Sequence, residues 1–242
     1  MAAPKKTPAR PKRQPSPRKK ALATTTEAVD EPRSITYVDV YFFIPNLIGY
    51  SRVILTAIGI YLLILAHRNN TDQWKLGLVS YTTSFILDFF DGYFARMFNQ
   101  SSNFGAVLDM VTDRVSTMLL LVVLCMYYPN RFEWFSFLAA LDYSSHWVQM
   151  YAAKGHHKTS NADKNIIVRV FYGVYPFFGF CCVGTELFYV AMAAQRFEKN
   201  NEILNFLIYP LFAACVSKNV VNVAQLMSGF EAVAKRDAAG EK

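Results

Sequence analysis

Four aspartates lie within segments that are otherwise apolar enough to cross a membrane. They are Asp88, Asp91, Asp109 and Asp113. An ionised carboxylate at the centre of a membrane helix costs on the order of 3 kcal/mol, even on the mildest insertion scale. Four such groups within 26 residues therefore need a cation between them. We expect the chemistry of this protein to take place at this cluster.

The spacing of the aspartates predicts that they converge. Asp88 and Asp91 are three residues apart, and Asp109 and Asp113 are four apart, so each pair shares one face of a helix. The loop of residues 99–104 lets the two helices face each other. Clustered carboxylate oxygens suit Mg²⁺ or Mn²⁺, and four of them suit two ions. A carboxylate beside such a site is also a candidate base, although spacing alone does not choose between Asp109 and Asp113.

Two neighbours of the aspartates suggest what the metals would hold. Gly92 leaves room for the close approach of a ligand, and Arg96 can form paired hydrogen bonds with phosphate oxygens. Metal ions bridge phosphate oxygens and neutralise the charge of a leaving group. This combination is typical of a pyrophosphate site.

Two other interpretations fit the same residues. The carboxylates could form salt bridges with Arg96 and Arg114, but two cations do not neutralise four anions. The cluster could instead line the path of a membrane transporter for protons or cations. Such a transporter would move ions without breaking a pyrophosphate.

The rest of the chain predicts an all-α membrane protein. It has 242 residues, 53% of them hydrophobic and only 18% charged, which excludes an ordinary soluble domain. Six apolar stretches are long enough to span a bilayer, and their short connections predict a compact antiparallel bundle. A short interfacial helix is expected just before the first span. The six predicted spans are residues 46–66, 74–98, 106–128, 132–153, 167–195 and 203–228.

The charge pattern predicts polar tails at both ends of the chain and the orientation of the protein in the membrane. Residues 1–20 hold eight basic residues and no acidic one, and prolines prevent this segment from forming a helix. We expect a disordered basic tail over residues 1–33, a membrane domain over 34–230 and a polar tail over 231–242. The basic tail places the N-terminus in the cytosol. It has no interleaved aromatic residues, so we expect no binding to nucleic acid.

The aspartate segment resembles the signature of the CDP-alcohol phosphatidyltransferases. That signature reads D-x2-D-G-x2-A-R-x8-G-x3-D-x3-D, and this chain matches it at every fixed position. The similarity extends over about residues 36–230 and includes six membrane helices. The matching residues are Asp88, Asp91, Gly92, Ala95, Arg96, Gly105, Asp109 and Asp113.

The resemblance implies a role for each matching residue. The four aspartates would hold Mg²⁺ or Mn²⁺, and Asp113 would also accept the proton of the attacking alcohol. Gly92, Arg96 and Ser102 would bind CDP-diacylglycerol. Homodimers are common in the family. With the N-terminus in the cytosol, the aspartates lie near the cytosolic ends of their helices, so we expect the active site to face the cytosol, in the endoplasmic reticulum or the Golgi.

The signature does not name the acceptor alcohol. The surrounding sequence resembles the eukaryotic members of the family that use myo-inositol, the fungal ones in particular. Asp142, His146 and Gln149 fall on one stripe of the fourth predicted span and are candidate inositol ligands, as is Arg114. Alternatively, Asp142 and His146 satisfy each other and Arg114 pairs with the aspartates. Serine, choline and glycerol 3-phosphate are the competing acceptors.

Overall fold

The computed structural model describes residues 35–153 and 166–240, and these residues form helices with no strands. The chain divides into Met1–Thr36 and Tyr37–Lys242, and the helices of the described residues belong to the second unit. A 3₁₀ turn, Pro129–Arg131, precedes the fifth helix. The predicted tail of residues 1–33 lies outside the described residues. The helices are α1 (Tyr37–Tyr41), α2 (Ile44–Asn69), α3 (Gln73–Met97), α4 (Asn103–Tyr127), α5 (Phe132–Ala153), α6 (Ile166–Gly173), α7 (Tyr175–Gln195) and α8 (Glu202–Ala238).

Local signals in the sequence explain where the long helices begin and end. Pro45 occupies the first turn of α2, where its missing N–H has no partner to lose. Asn70 ends that helix in the left-handed conformation, with φ 51°. Ser102 caps α4, because its Oγ accepts the backbone N–H of Gly105 at 3.0 Å. Asn201 caps α8 in the same way through the N–H of Leu204.

The helices identify an integral membrane protein. α2, α7 and α8 are long and apolar enough to cross a bilayer. α3, α4 and α5 have 25, 25 and 22 residues, or about 33 to 38 Å at 1.5 Å per residue. That length also matches a bilayer, but the aspartates make α3 and α4 less apolar. The all-α membrane fold predicted from the sequence is thus confirmed.

Two predicted spans differ most from the observed helices. The fifth breaks at Val174, whose φ of −110° and ψ of 88° are not helical. Pro176 follows within the first turn of α7 and has no N–H to continue the hydrogen bonds of α6. The sixth span continues ten residues beyond its predicted end at 228, to Ala238. Its last turns are rich in strong helix formers. They include a salt bridge between Lys235 Nζ and Glu231 Oε1 at 2.8 Å.

An apolar core fills one end of the bundle. Leu63 of α2, Leu120 and Leu124 of α4, and Phe135 and Leu138 of α5 are almost fully buried there. The aspartates lie toward the other end, late in α3 and early in α4. The packed end therefore fixes the helices, and the opposite end is left for polar side chains and cavities.

Candidate active site

Three of the four aspartates offer oxygen atoms to one point. Asp88 and Asp91 extend from α3 and Asp109 from α4, and one carboxylate oxygen of each lies within 4.8 Å of the others. The turn between α3 and α4 passes through Asn99, which has a positive φ of 55°. Asp113 lies one turn further along α4 and does not belong to this triplet.

Arg52 of α2 lies in the middle of all four carboxylates. Its Nη2 is 2.7 Å from Asp88 and its Nη1 is 2.8 Å from Asp109. It also forms salt bridges with Asp91 and Asp113, and the residue is only 2% exposed. The four carboxylates are thus arranged around a positive charge. This supports their fit to a divalent cation, because the oxygen donors are hard and already point to one place.

Arg52 was not predicted from the sequence, in which Arg96 and Arg114 were considered only as alternative partners of the aspartates. Arg114 does contact Asp113, at 3.3 Å. Arg96 forms no salt bridge with any residue that the structure describes. A signal was present, because Arg52 is the lone cation inside the first apolar stretch. A charged arginine inside a membrane helix costs free energy, which is a reason to expect a functional partner for it.

Two cavities meet at the aspartate cluster. The larger, of about 390 Å³, is lined by Asp88, Asp109 and Asp113 and by residues of each helix from α2 to α8. The smaller, of about 180 Å³, is lined by Asp91 and Asp109 and extends between the first turns of α2 and α4 and the end of α3. Since Asp109 lines both, ligands in the two cavities would both lie next to this carboxylate.

The smaller cavity contains the three residues expected to bind a nucleotide lipid. Gly92, Arg96 and Ser102 all line it. A Cβ on Gly92 would have only Arg96 Nη1 nearby, at 3.6 Å, so the glycine opens space toward the cavity. A Cβ on Gly105 would be 2.8 Å from Asn46 Oδ1. Gly105 therefore serves the close packing of α4 against α2.

The larger cavity contains a charged network around Asp142 of α5. Arg114 Nη1 donates to both carboxylate oxygens of Asp142, at 2.9 and 3.2 Å. Asn222 of α8 donates to Asp142 Oδ1 at 3.1 Å, and Lys218 Nζ is 3.7 Å from the same oxygen. Arg114 thus joins Asp142 to Asp113. Lys218 and Asn222 were visible as polar residues in the last apolar stretch, but their spacing alone did not link them to α5.

The predicted stripe on α5 is only partly brought into the cavity. Asp142 and His146 line it, and His146 Nδ1 is 2.8 Å from the carbonyl oxygen of Asp142. Gln149 lies apart from this cavity and close to Gly229 of α8. It is about 10 Å further along the helix axis than Asp142, so a shared face does not bring it to the same ligand.

The chain is similar to known proteins over most of its length. The model of the CDP-alcohol phosphatidyltransferase family matches residues 42–197. A CDP-diacylglycerol–inositol 3-phosphatidyltransferase from Schizosaccharomyces pombe is 35% identical, with 82% of this chain and 92% of the relative aligned. The protein of the same name from Candida albicans is 35% identical over 92% of this chain and 93% of its own. The human protein of this name is 31% identical, with 83% of this chain and 95% of the relative aligned.

The comparison with solved structures gave no significant match. The family assignment therefore stands on the sequence comparisons, which cover most of the membrane domain. The chain belongs to the CDP-alcohol phosphatidyltransferase family.

Proposed function

We propose that this protein transfers the phosphatidyl group of CDP-diacylglycerol to myo-inositol, which yields phosphatidylinositol and CMP. The observation that carries the proposal is the placement of one carboxylate cluster between two cavities. A transferase needs separate places for its donor and its acceptor and a reaction centre where they meet. The relatives named for this activity align over most of the chain.

The smaller cavity suits the pyrophosphate of the donor. Arg96 is exposed and forms no salt bridge within the described residues, so its guanidinium is available for phosphate oxygens. Gly92 leaves space for close approach. Ser102 already accepts a backbone hydrogen bond through Oγ, and its hydroxyl proton is left to donate to a phosphate.

Asp88, Asp91 and Asp109 would hold divalent cations, and Asp113 would complete the set for a second ion. We propose Mg²⁺ or Mn²⁺, because the donors are all carboxylate oxygens. The bound ions would neutralise the pyrophosphate and the charge that develops on the leaving CMP.

Asp113 is the base in the proposed reaction. Its carboxylate takes the proton of one inositol hydroxyl, and that oxygen attacks the phosphorus that carries the diacylglycerol. The bond between this phosphorus and the oxygen bridging to CMP breaks, and CMP leaves with the bonding electrons. Arg114 lies 3.3 Å from Asp113 Oδ2 and holds the carboxylate in place.

The charges of the larger cavity favour a neutral acceptor. Arg114 is bound to Asp142 and Asp113, and Lys218 is next to Asp142 and donates to Asn222. A phosphorylated acceptor would have to compete for these cations. Arg114, Asp142 and His146 can instead exchange hydrogen bonds with the hydroxyls of myo-inositol. We retain these three as inositol ligands and leave Gln149 out.

The wider setting is part of the proposal. α2, α3, α4, α5, α6 with α7, and α8 would make six membrane crossings, with the N-terminus and the active site on the cytosolic side. The acyl chains of the donor would stay in the bilayer. The basic tail of residues 1–33 lies outside the described residues and would help to set this orientation. We place the enzyme in the endoplasmic reticulum or the Golgi, as a homodimer.

A competition assay tests the acceptor. Purified protein is given CDP-diacylglycerol, Mg²⁺ or Mn²⁺ and labelled myo-inositol, with serine, choline or glycerol 3-phosphate in excess. We expect labelled lipid that none of the three competitors suppresses. Loss of the labelled lipid when serine is added in excess would contradict the proposed acceptor. Ion movement without CMP release would instead favour a transporter.

Two glycine variants separate binding of the donor from packing of the helices. Gly92→Ala should keep the unfolding temperature of the wild type, because a Cβ there meets only the end of Arg96. The added methyl group fills part of the smaller cavity, so the KM for CDP-diacylglycerol should rise about 10-fold or more. Steady-state kinetics at saturating inositol measure this change.

Gly105 lines the same cavity but lies close against α2, so Gly105→Ala is the comparison for packing. Its Cβ would lie 2.8 Å from Asn46 Oδ1, and such overpacking costs about 1 to 3 kcal/mol. We expect a lower unfolding temperature for this variant in detergent. A Gly92→Ala enzyme with an unchanged KM for the donor would remove Gly92 from the binding site.

A further inference from the structure

The larger cavity contains a carboxylate to which the reaction described above gives no role. Glu186 extends from the middle of α7 and lines the cavity together with Tyr81 of α3 and Thr117 of α4. It is the only glutamate of α7, and its helix neighbours are apolar or small. A carboxylate in a membrane helix is costly to keep, so its position calls for a partner within the cavity.

The hydrogen bonds of Glu186 leave it able to accept more. Tyr81 donates its hydroxyl to Oε2 at 3.1 Å, and Thr117 donates to Oε1. An ionised carboxylate has about four acceptor sites on its two oxygens. Two neutral donors therefore hold the side chain in place and leave each oxygen free to accept one more hydrogen bond.

Glu186 also differs from the aspartates of the site in its lack of a salt bridge within the described residues. Asp88, Asp91, Asp109 and Asp113 all contact Arg52, and Asp142 contacts Arg114. Within the residues that the structure describes, no basic side chain forms a salt bridge with Glu186. Its remaining acceptor sites are thus open to hydroxyl donors from a ligand.

The position of Glu186 matches the far side of an acceptor bound at the aspartates. Thr117 follows Asp113 by four residues on α4, so it lies on the same face about 6 Å deeper along the axis. Glu186 accepts its hydrogen bond from Thr117. A cyclic polyol with one hydroxyl at Asp113 can therefore present the opposite part of its ring to Glu186.

We propose that Glu186, held by Tyr81 and Thr117, accepts a hydrogen bond from a ring hydroxyl of the acceptor and selects a neutral polyol over an anionic one. This inference rests on the proposed transfer to myo-inositol and adds a recognition residue to it. A phosphate or carboxylate on the acceptor would be repelled by Glu186, whereas a hydroxyl would donate to it.

The test compares Glu186→Gln with the wild type on myo-inositol and on a panel of deoxyinositols, each lacking one hydroxyl. A hydrogen bond to a charged group is worth enough for a roughly 10- to 100-fold rise in the KM for myo-inositol. The KM for CDP-diacylglycerol should not change, because Glu186 does not line the smaller cavity. Glu133→Gln, the same change at an exposed position of α5, is the control and should match the wild type.

The deoxyinositol panel distinguishes recognition from a structural role. At one ring position, the loss of the hydroxyl should raise the KM of the wild type but not that of Glu186→Gln. The inference would be overturned if every deoxyinositol raised the KM of the wild type and of Glu186→Gln by the same factor. It would also be overturned if Glu186→Gln raised the KM for donor and acceptor equally. Should Glu186→Gln not fold, Glu186→Asp replaces it, because this variant keeps the charge but withdraws the carboxylate by one methylene. The deoxyinositol that raises the KM of the wild type should then leave the KM of Glu186→Asp unchanged.

The same experiment separates this inference from the proposed function. A wild-type enzyme that incorporates no labelled inositol would overturn the proposed function together with the role of Glu186. A wild type that incorporates inositol, beside a Glu186→Gln enzyme with an unchanged KM for inositol, would overturn the role of Glu186 alone.

Discussion

Replacement of Asp113 by asparagine should lower kcat by roughly a thousandfold, within the range of 10² to 10⁴ that a general base contributes. Asparagine has nearly the same shape and keeps one oxygen for Arg52 or Arg114, which both contact Asp113. It cannot take the proton of the attacking hydroxyl. The KM for CDP-diacylglycerol should change less than kcat, because Asp113 does not line the smaller cavity.

Initial rates of CMP release at saturating donor and inositol measure this effect. Asp237→Asn, the same substitution at an exposed position near the end of α8, is the control and should retain the wild-type rate. If Asp113→Asn kept its rate while Asp109→Asn lost it, the base would be Asp109. The sequence alone left these two aspartates as alternatives.

Replacement of Arg52 by methionine should destabilise the protein in the presence of a chelator. Removal of one side of a buried ionic network leaves uncompensated charge and costs about 3 to 5 kcal/mol. Arg52 is the shared partner of four carboxylates. A loss of that size corresponds to a fall of roughly 10 °C in the unfolding midpoint of a protein of this length.

Divalent cations should reverse much of this loss, since Mg²⁺ or Mn²⁺ supplies the missing positive charge. Thermal unfolding in detergent, with a chelator and then with Mn²⁺, measures both effects. Arg96→Met is the matched control, because Arg96 is exposed and forms no salt bridge within the described part of the chain. An Arg52→Met protein as stable as the wild type in chelator would show that the aspartates do not depend on this cation.

The periodicity of the sequence was enough to predict the helices that carry the aspartates. α3 and α5 were predicted to within one residue at each end, because long apolar runs end at clear loop signals. α4 begins three residues before its predicted start at 106. Spacings of three and four also predicted which side chains share a face of α3 or α4. These are properties of one helix and need no knowledge of its neighbours.

Contacts between distant helices were harder to predict. Arg52 meets Asp113 across 61 positions of sequence, and Asn222 meets Asp142 across 80. A helical period gives the direction of a side chain around its own axis but not the depth at which two helices pack. Gln149 shows the same limit, because it shares a face of α5 with Asp142 while its height along the helix places it outside the cavity.

The sequence contained a signal for the break at Val174 but did not show which form the break would take. Glycines and Pro176 marked the fifth apolar stretch as irregular, but either a kinked helix or two helices would bury the same residues. The structure ends α6 at Gly173 and begins α7 at Tyr175. This break separates the short α6 from the helix that carries Glu186 into the larger cavity.

Simultaneous measurement of CMP and phosphatidylinositol in one reaction tests the central claim most directly. Purified protein is incubated with CDP-diacylglycerol, Mn²⁺ and myo-inositol, and both products are quantified over time, with a parallel reaction that lacks inositol. A transfer between two cavities that meet at the aspartates predicts equal amounts of CMP and phosphatidylinositol, and almost no CMP without inositol. Release of CMP at the same rate without inositol, or without formation of the lipid product, would contradict the account.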